Sequence, residues 1–476
     1  MIRMECPAGS ACGGCSGRGE YGGLLMKKQA RVSELLKSLC PVEDIVGMDD
    51  PFHYRNKVHA AFSRDERGRI IAGPYAGGTH RIVPMDACLI EDEGASRTVR
   101  AVRDLMADFG IEPYDEDSGR GLMRHVLIRT ARQTGEMLVT LVIGRTPFSA
   151  QRAFVAKLGK KCPWITTVCV SLNARRTSMI LGPSTRTVYG RGFIEDRLAG
   201  KVFALGPNSF YQVNPVQTEK LYAKAYEFAA LTGKETVLDA YCGVGTIDLG
   251  CAEKAGRVVG VEVNRDAVRD AVGNMKRNGI TNASFVCADA GQYMRRLAAE
   301  KARIDVVFMD PPRAGSDRRF LDSLSFLSPD RVVYISCMPE TLARDLNILR
   351  RTGWRAERAV PFDMFPWTEH VETCVLLCRE NIEGRKMVSV TYEPTDEEIV
   401  PHLSPSATYA ELKQWIEEKY QAKVSSLYIA QVKAKHGLEM RENFNKPKSP
   451  NAKQPVVPVE KEKMIEEALR HFRMIE

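Results

Sequence analysis

Cys337 closes the apolar run Val332-Val-Tyr-Ile-Ser and is followed by Met338 and Pro339, so a buried strand delivers a thiol where a helix begins near Glu340. Pro339 stops the strand from simply continuing. Partial exposure beside the positive end of a helix predicts a lowered thiol pKa and a reactive thiolate. Cys169, Cys251 and Cys374 lack that setting and read as inert small hydrophobes. Upstream, the strand Ile304 to Met309 runs into Asp310-Pro-Pro-Arg313, whose paired prolines stiffen the exit and hold a carboxylate at the rim of a sheet. Downstream, Trp367-Thr-Glu-His-Val-Glu372 supplies two further carboxylates, Glu369 and Glu372. A thiolate near carboxylates suits addition to an electron-poor ring carbon, which makes the neighbouring carbon nucleophilic. A carboxylate then removes a proton so that the thiol can leave.

A second constellation precedes this one. The strand Glu235 to Ala240 leads into Asp239-Ala-Tyr-Cys-Gly-Val-Gly-Thr246, whose glycines allow a tight turn and close approach of a ligand at a strand's carboxyl end. Glu262 ends the next strand, placed to accept both ribose hydroxyls of an adenosine, and Asp289 follows the strand after that, placed to meet the adenine edge. With no third glycine opening the helix, the motif is a poor dinucleotide fingerprint. S-adenosylmethionine, which has no pyrophosphate, fits better.

Cys6, Cys12 and Cys15 have C-x5-C-x2-C spacing and, with the distant Cys88, make four soft ligands equally acceptable to zinc or to an iron-sulfur cluster. The 13 cysteines in 476 residues are too sparse for a disulfide scaffold, so each is read individually.

These groups need several domains to position them, because a single core stops growing well below this length. Apolar residues at 44% and charged residues at 27% argue for a folded chain over most of its length. No apolar run is long enough to span a membrane, and Met1 to Gly22 has no secretory signal pattern, so a cytoplasmic location without membrane contact is expected. The net charge of +8 lies entirely in the first 380 residues, since 15 basic and 15 acidic side chains balance from Asn381 onward. That placement permits a polyanionic partner. Four regions follow from the pattern: 1–90, a cysteine-cluster and basic β region with a helix from about Leu24 to Leu39; 91–204, mainly β; 205–380, a parallel α/β sheet whose last strands include antiparallel edges; and 381–476, a linker and small helical module. In the first region Arg55, Lys57, His59, Arg64, Arg67 and Arg69 form an expected phosphate-facing strip, with Phe52, Tyr54 and Phe62 as stacking groups. In the last, Thr408 and Glu411 have capping-box spacing, and Lys423, Lys433, Lys435 and the Lys446 to Lys453 linker suggest an accessory RNA contact.

Phe210-Tyr-Gln-Val-Asn214, the Asp239 glycine motif, Asp310-Pro-Pro-Arg313, Ser336-Cys337 and Asp363-Met-Phe-Pro366 through Glu372 stand in one order. In that order they resemble the RNA (uracil-5-)-methyltransferases, especially the iron-sulfur branch that modifies 23S ribosomal RNA. The resemblance runs from Cys6 to about Cys378. It implies a Rossmann-like α/β methyltransferase domain with an amino-terminal iron-sulfur and β domain, to which the small helical carboxyl-terminal extension is added. It also implies that Cys337 adds to carbon 6 of uracil, that Glu372 rather than Glu369 takes the proton from carbon 5, and that Gln212, Tyr241, Gly243, Glu262, Asp289 and Asp310 surround S-adenosylmethionine and the base. The four cysteines would then hold a 4Fe-4S cluster, with zinc as the alternative, and the enzyme would be a monomer acting on structured RNA. Met338 departs from the Ser-Cys-Asn-Pro usual in the family and removes a polar side chain beside the thiol. Transfer RNA as the target, amino methylation, or a non-catalytic RNA-binding or ribosome assembly factor are the competing readings; the last two leave Cys337 and Glu372 idle.

Overall fold

Cys12 and Cys15 lie on the loop between two short antiparallel strands, β1 (Arg3–Glu5) and β2 (Arg18–Glu20), and Cys6 immediately follows the first. In this computed structural model residues 2–9, 11–15, 18–175, 179–379, 409–422, 424–436 and 457–472 are described. They divide into two units, Met1–Ile382 and Glu383–Glu476.

Helix α1 (Tyr21–Leu36) buries Val32 and Leu36, and it also buries Tyr21 and Lys28. Both polar groups reach Asp363, the tyrosine hydroxyl donating to Oδ2 at 2.6 Å and the lysine forming an ion pair. A charge this deep is tolerated only when paired. α1 is thereby tied to the loop that precedes Glu372. Trp367 on that loop donates to the carbonyl of Pro51 at 2.9 Å and stacks on Phe52, which is therefore a packing group.

A six-stranded sheet follows: β3 (Lys57–Arg64), β4 (Ile70–Gly73), β5 (Met123–Thr130), β6 (Met137–Ile143), β7 (Ile165–Leu172) and β8 (Ser184–Tyr189), in the order β4-β3-β5-β6-β7-β8. Only β6 and β7 run parallel. Two helices, α2 (Glu93–Asp108) and α3 (Gln151–Lys161), cover one face. Val58, Phe62, Val126, Ile128, Val139 and Leu141 meet Val102, Leu105 and Phe154 there in one core. Two expectations need correction. The boundary drawn at residue 90 runs through this sheet, because β3 hydrogen-bonds β5 across it. The region is also a helix-backed sheet rather than mainly β, since one face of six strands must be covered.

Hairpin β9 (Ile194–Leu198) and β10 (Lys201–Leu205) leads to α4 (Pro215–Ala229), whose N-cap Asn214 accepts from Gln217 N and donates to the carbonyl of Met364 at 3.0 Å. Beyond it lies the second large sheet, from β11 (Thr236–Asp239), β12 (Arg257–Glu262), β13 (Ala283–Cys287), β14 (Val306–Met309), β15 (Arg331–Ser336), β16 (Trp354–Phe362) and β17 (Glu372–Arg379). Their order is β13-β12-β11-β14-β15-β17-β16; the first five are parallel, and β17 runs antiparallel to both of its neighbours, β15 and β16. α5 (Thr246–Cys251), α6 (Arg265–Arg277), α7 (Ala290–Ala299), α8 (Arg318–Leu327) and α9 (Pro339–Arg351) connect them. Strands buried on both faces read as continuous apolar runs, and Val306–Met309 is wholly buried.

The second unit contains α10 (Tyr409–Tyr420), α11 (Ser426–Lys435) and α12 (Val459–His471) around Leu412, Ile416, Ile429, Val432, Ile465 and Leu469. Lys435 is paired with Glu462. Thr408, Lys423 and the 446–453 linker lie outside the described residues.

Candidate active site

β15 and β17 are antiparallel with Ser336 opposite Thr373. Cys337 is the first residue beyond β15 and Glu372 the first of β17, so thiol and carboxyl leave adjoining strand ends. Glu372 is 4% exposed and its Oε2 has no hydrogen-bond partner, while Glu369 is exposed to solvent. Cys337 is half-buried. Its thiol is pushed up to about 11, first by burial and then by the charges of Glu372 and Asp310, with the Arg313 guanidinium opposing them. The expected lowering by the start of α9 is therefore corrected: two carboxyls and desolvation outweigh one helix end. Burial and Asp310 likewise raise Glu372, and burial and Asp239 raise Asp310. A row of acids crosses the strand ends with Arg313 facing it.

The glycine loop at the end of β11 has Gly243 at φ 54° and Gly245 at φ 82°, the left-handed conformation that favours glycine. A β carbon on Gly243 would meet no atom within 4 Å, so the loop leaves open space there, whereas one on Gly245 would come within 2.9 Å of Phe285. Glu262 accepts from Gly243 N at 3.2 Å and from Asn264 N at 2.8 Å. Asp289 is exposed and caps α7 by accepting from Gln292 N at 2.9 Å. Tyr241 is held by a 3.2 Å bond between its hydroxyl and Ser316 Oγ. Open space beside a left-handed glycine, with carboxylates at the ends of neighbouring strands, fits the adenosine and amino-acid parts of S-adenosylmethionine. Gln212 is buried, its carbonyl accepting from Asn56 Nδ2 at 3.1 Å, on the segment that joins the two large sheets.

Two features of the site carry no motif. Asp248 on α5 is wholly buried, neither of its carboxyl oxygens nor Asp239 Oδ2 has a hydrogen-bond partner, and burial raises both carboxyls. Burial of this kind favours the protonated form of a carboxyl. Asp345 on α9, also buried, accepts from Tyr334 Oη at 2.7 Å and from Ser316 N at 3.0 Å and pairs with Arg344. Arg344 and Thr341 in turn hold the carbonyls of Ala314 and Arg313. The helix behind Cys337 thus clamps the loop carrying Arg313 and reaches Tyr241 through Ser316.

Cys6, Cys12, Cys15 and Cys88 line one cavity of about 180 Å³. Among the described residues no three Cys, His, Asp or Glu side chains are arranged to hold a single metal ion. The basic strip is reduced. Arg64 is paired with Glu112 at 2.6 Å and Arg69 with Asp65 at 2.8 Å, while Tyr54 and Phe62 are each 2% exposed. Those two aromatics belong to the core and stack on no ligand.

A largely parallel α/β sheet with a left-handed glycine loop and carboxylates at its strand ends is the arrangement of an S-adenosylmethionine-dependent methyltransferase. Residues 134–380, more than half of the chain, match the model of the family described as tRNA (Uracil-5-)-methyltransferase. An uncharacterised RNA methyltransferase of Halalkalibacterium halodurans is 39% identical over 386 residues, covering 80% of this chain and 84% of the relative. One from Listeria innocua is 40% identical over 385 residues, covering 79% and 84%. Among solved structures, the tRNA (uracil-54, C5)-methyltransferase of Pyrococcus abyssi in complex with S-adenosyl-L-homocysteine is similar with a TM-score of 0.63 at 25% identity, over 75% of this chain and 83% of that one. The chain belongs to the RNA (uracil-5-)-methyltransferase family, and it is an S-adenosylmethionine-dependent enzyme of RNA. Among its described residues no helix is long and apolar enough to cross a membrane.

Proposed function

We propose that the chain methylates carbon 5 of a uridine through a covalent adduct between Cys337 and carbon 6 of uracil, with Glu372 as the base. The supporting observation is the arrival of both groups at adjoining ends of β15 and β17. Carbon 5 of uracil is too weak a nucleophile to take a methyl group unaided, and thiol addition to carbon 6 places enolate character on it. S-adenosylmethionine, held by Tyr241, Gly243, Glu262 and Asp289, supplies the electrophilic methyl and a positive charge beside the acids. Asp310, at the rim between the glycine loop and Cys337, and Gln212 orient the base. Glu372, buried with an unpartnered oxygen, then accepts the carbon 5 proton, and the electron pair left behind restores the ring double bond as the bond from carbon 6 to Cys337 breaks and releases the thiolate. Arg313 opposes the acids electrostatically and favours the thiolate needed for attack.

Cys6, Cys12, Cys15 and Cys88 are proposed to hold a 4Fe-4S cluster. What supports the reading is that all four cysteines line one cavity. The cluster would brace the amino-terminal loop against the 85–91 segment, since methyl transfer needs no electron. The target proposed is 23S ribosomal RNA, on the strength of the cysteine set. Transfer RNA is the second reading, favoured by the likeness to the Pyrococcus abyssi enzyme. Deleting the gene and mapping 5-methyluridine in both RNAs tests the proposal. Loss of one ribosomal position is expected; loss only from transfer RNA selects the second reading, and no loss from either refutes both.

A further inference from the structure

Lys57 on β3 and Arg129 on β5 stand directly opposite each other in the antiparallel ladder. Opposed like charges on one sheet face are destabilising, because their β carbons are only about 5 Å apart. The face is the one turned away from α2 and α3, where residues alternate with the apolar Val58 and Ile128. Arg129 is 3% exposed; its Nη2 donates to the carbonyl of Ser209, and its Nε has no partner. Half-buried Arg55 adds a third cation, its Nε donating to the carbonyl of Lys57 at 3.2 Å.

Elsewhere on these strands and in the turn after β3 the cations are neutralised: Arg64 by Glu112, Arg69 by Asp65 and Arg124 by Glu116. Among the described residues none of Arg55, Lys57 and Arg129 has a carboxylate in salt-bridge contact. Glu91, whose main chain pairs with that of Arg55 and which lines the same cavity, feels its charge without a salt-bridge contact. Burial, and after it the Arg129 and Arg55 guanidiniums, push the Lys57 ammonium down to about 8. The three cations adjoin the segment that carries Gln212. Ser209 directly precedes Phe210-Tyr-Gln212, and Asn56, between two of the cations, donates to the carbonyl of Gln212 from its side chain and to that of Val213 from its main chain.

We propose that Arg55, Lys57 and Arg129 form a phosphodiester-binding site that holds the RNA backbone beside the target uridine. This deepens the uridine-methylation reading and rests on it. Arg129 forms the fixed floor, anchored to the 207–209 segment. Lys57, half-exposed, closes on the anion, and phosphate binding relieves the repulsion that the free sheet tolerates. A carboxylate of the methyl donor has overlapping chemistry, so the test separates the two sources.

Full-length wild type, Lys57→Gln and Lys57→Arg are compared by filter binding to bulk RNA from cells lacking the gene, across a series of KCl concentrations. S-adenosylmethionine affinity is measured in parallel. Lys57→Gln is expected to weaken RNA binding about tenfold at low salt and to reduce the slope of log K against log salt by about 0.7 to 0.9, the loss of one phosphate contact. Lys57→Arg should restore both; S-adenosylmethionine affinity should be unchanged in each, and Lys57→Gln, which removes the opposed charge, should melt no lower than the wild type. A wild-type slope in Lys57→Gln overturns the proposal, and so does a loss confined to S-adenosylmethionine binding. Wild-type protein that binds RNA with the expected slope yet forms no 5-methyluridine overturns the uridine-methylation reading instead.

Discussion

Cys337 and Glu372 leave the large sheet at the same edge because Ser336 and Thr373 form the last rung shared by antiparallel β15 and β17. A nucleophile and a base so placed can work on neighbouring atoms of one flat ring, and they should fail at different stages. Cys337→Ala is expected to retain S-adenosylmethionine binding and to form neither adduct nor product. Glu372→Gln keeps the shape of the side chain without the base, so methylated RNA should stay attached to Cys337 as a slow band that survives denaturation. Peptide mass analysis locates the bond. Product release from Glu372→Gln at the wild-type rate would assign proton removal to another group.

The raised thiol gives a pH prediction. With its pKa pushed up to about 11, Cys337 in the free protein is almost wholly protonated at neutral pH. Alkylation by iodoacetamide should climb steadily with pH and show no plateau below pH 10. Because Glu372 and Asp310 raise the thiol, Glu372→Gln and Asp310→Asn should each move the rise to lower pH. A plateau near pH 7 in the wild type would show that the helix end dominates after all.

Buried Glu372 links pH to stability as well. Its folded pKa lies above that of an unfolded glutamate, so the stability it contributes is full below the unfolded value and is lost as pH rises through the folded one. The advantage of Glu372→Gln in melting temperature should therefore grow from pH 5 to pH 9. An advantage that shrinks over that window contradicts a raised carboxyl.

Asp345 joins α9 to β15 through Tyr334 and to the loop after Asp310 through Ser316 N. Removing it leaves those donors unpaired in the core, and Asp345→Ala should cost about 3 kcal/mol in denaturant unfolding. Asp345→Asn keeps an acceptor and should cost less. Both variants should bind S-adenosylmethionine more weakly, since Tyr241 is held through Ser316. Wild-type affinity in both would confine Asp345 to stability.

Anaerobically purified protein is expected to contain about four iron and four sulfide per chain, with Cys12→Ser and Cys88→Ser each losing them. Stoichiometric zinc without sulfide would replace the cluster by a zinc site. The second unit has its own core around Leu412, Ile429 and Ile465, so removing residues 383–476 should leave a folded enzyme. Unchanged RNA affinity and salt dependence in that truncation would end the accessory-contact reading of the tail.

Local order in the chain was enough to place Asp239, Glu262, Asp310 and Cys337 at strand ends. A doubly buried strand is a continuous apolar run, and the residue that breaks the run is the one at the rim. Glu372 was legible as one of two carboxylates, but only the register of β17 buries it and leaves Glu369 in water. Long-range pairing decided the rest. Lys28 and Asp363 are 335 residues apart yet form one buried pair, β3 finds β5 across the boundary expected at residue 90, and Asp345 meets Ser316 although no motif contains both. The sign of the Cys337 shift belongs to the same class. A helix end is a local property that a sequence displays, whereas the field at the thiol sums carboxyls from β14 and β17 with the desolvation of the packed edge, and those distances exist only once the sheet has formed.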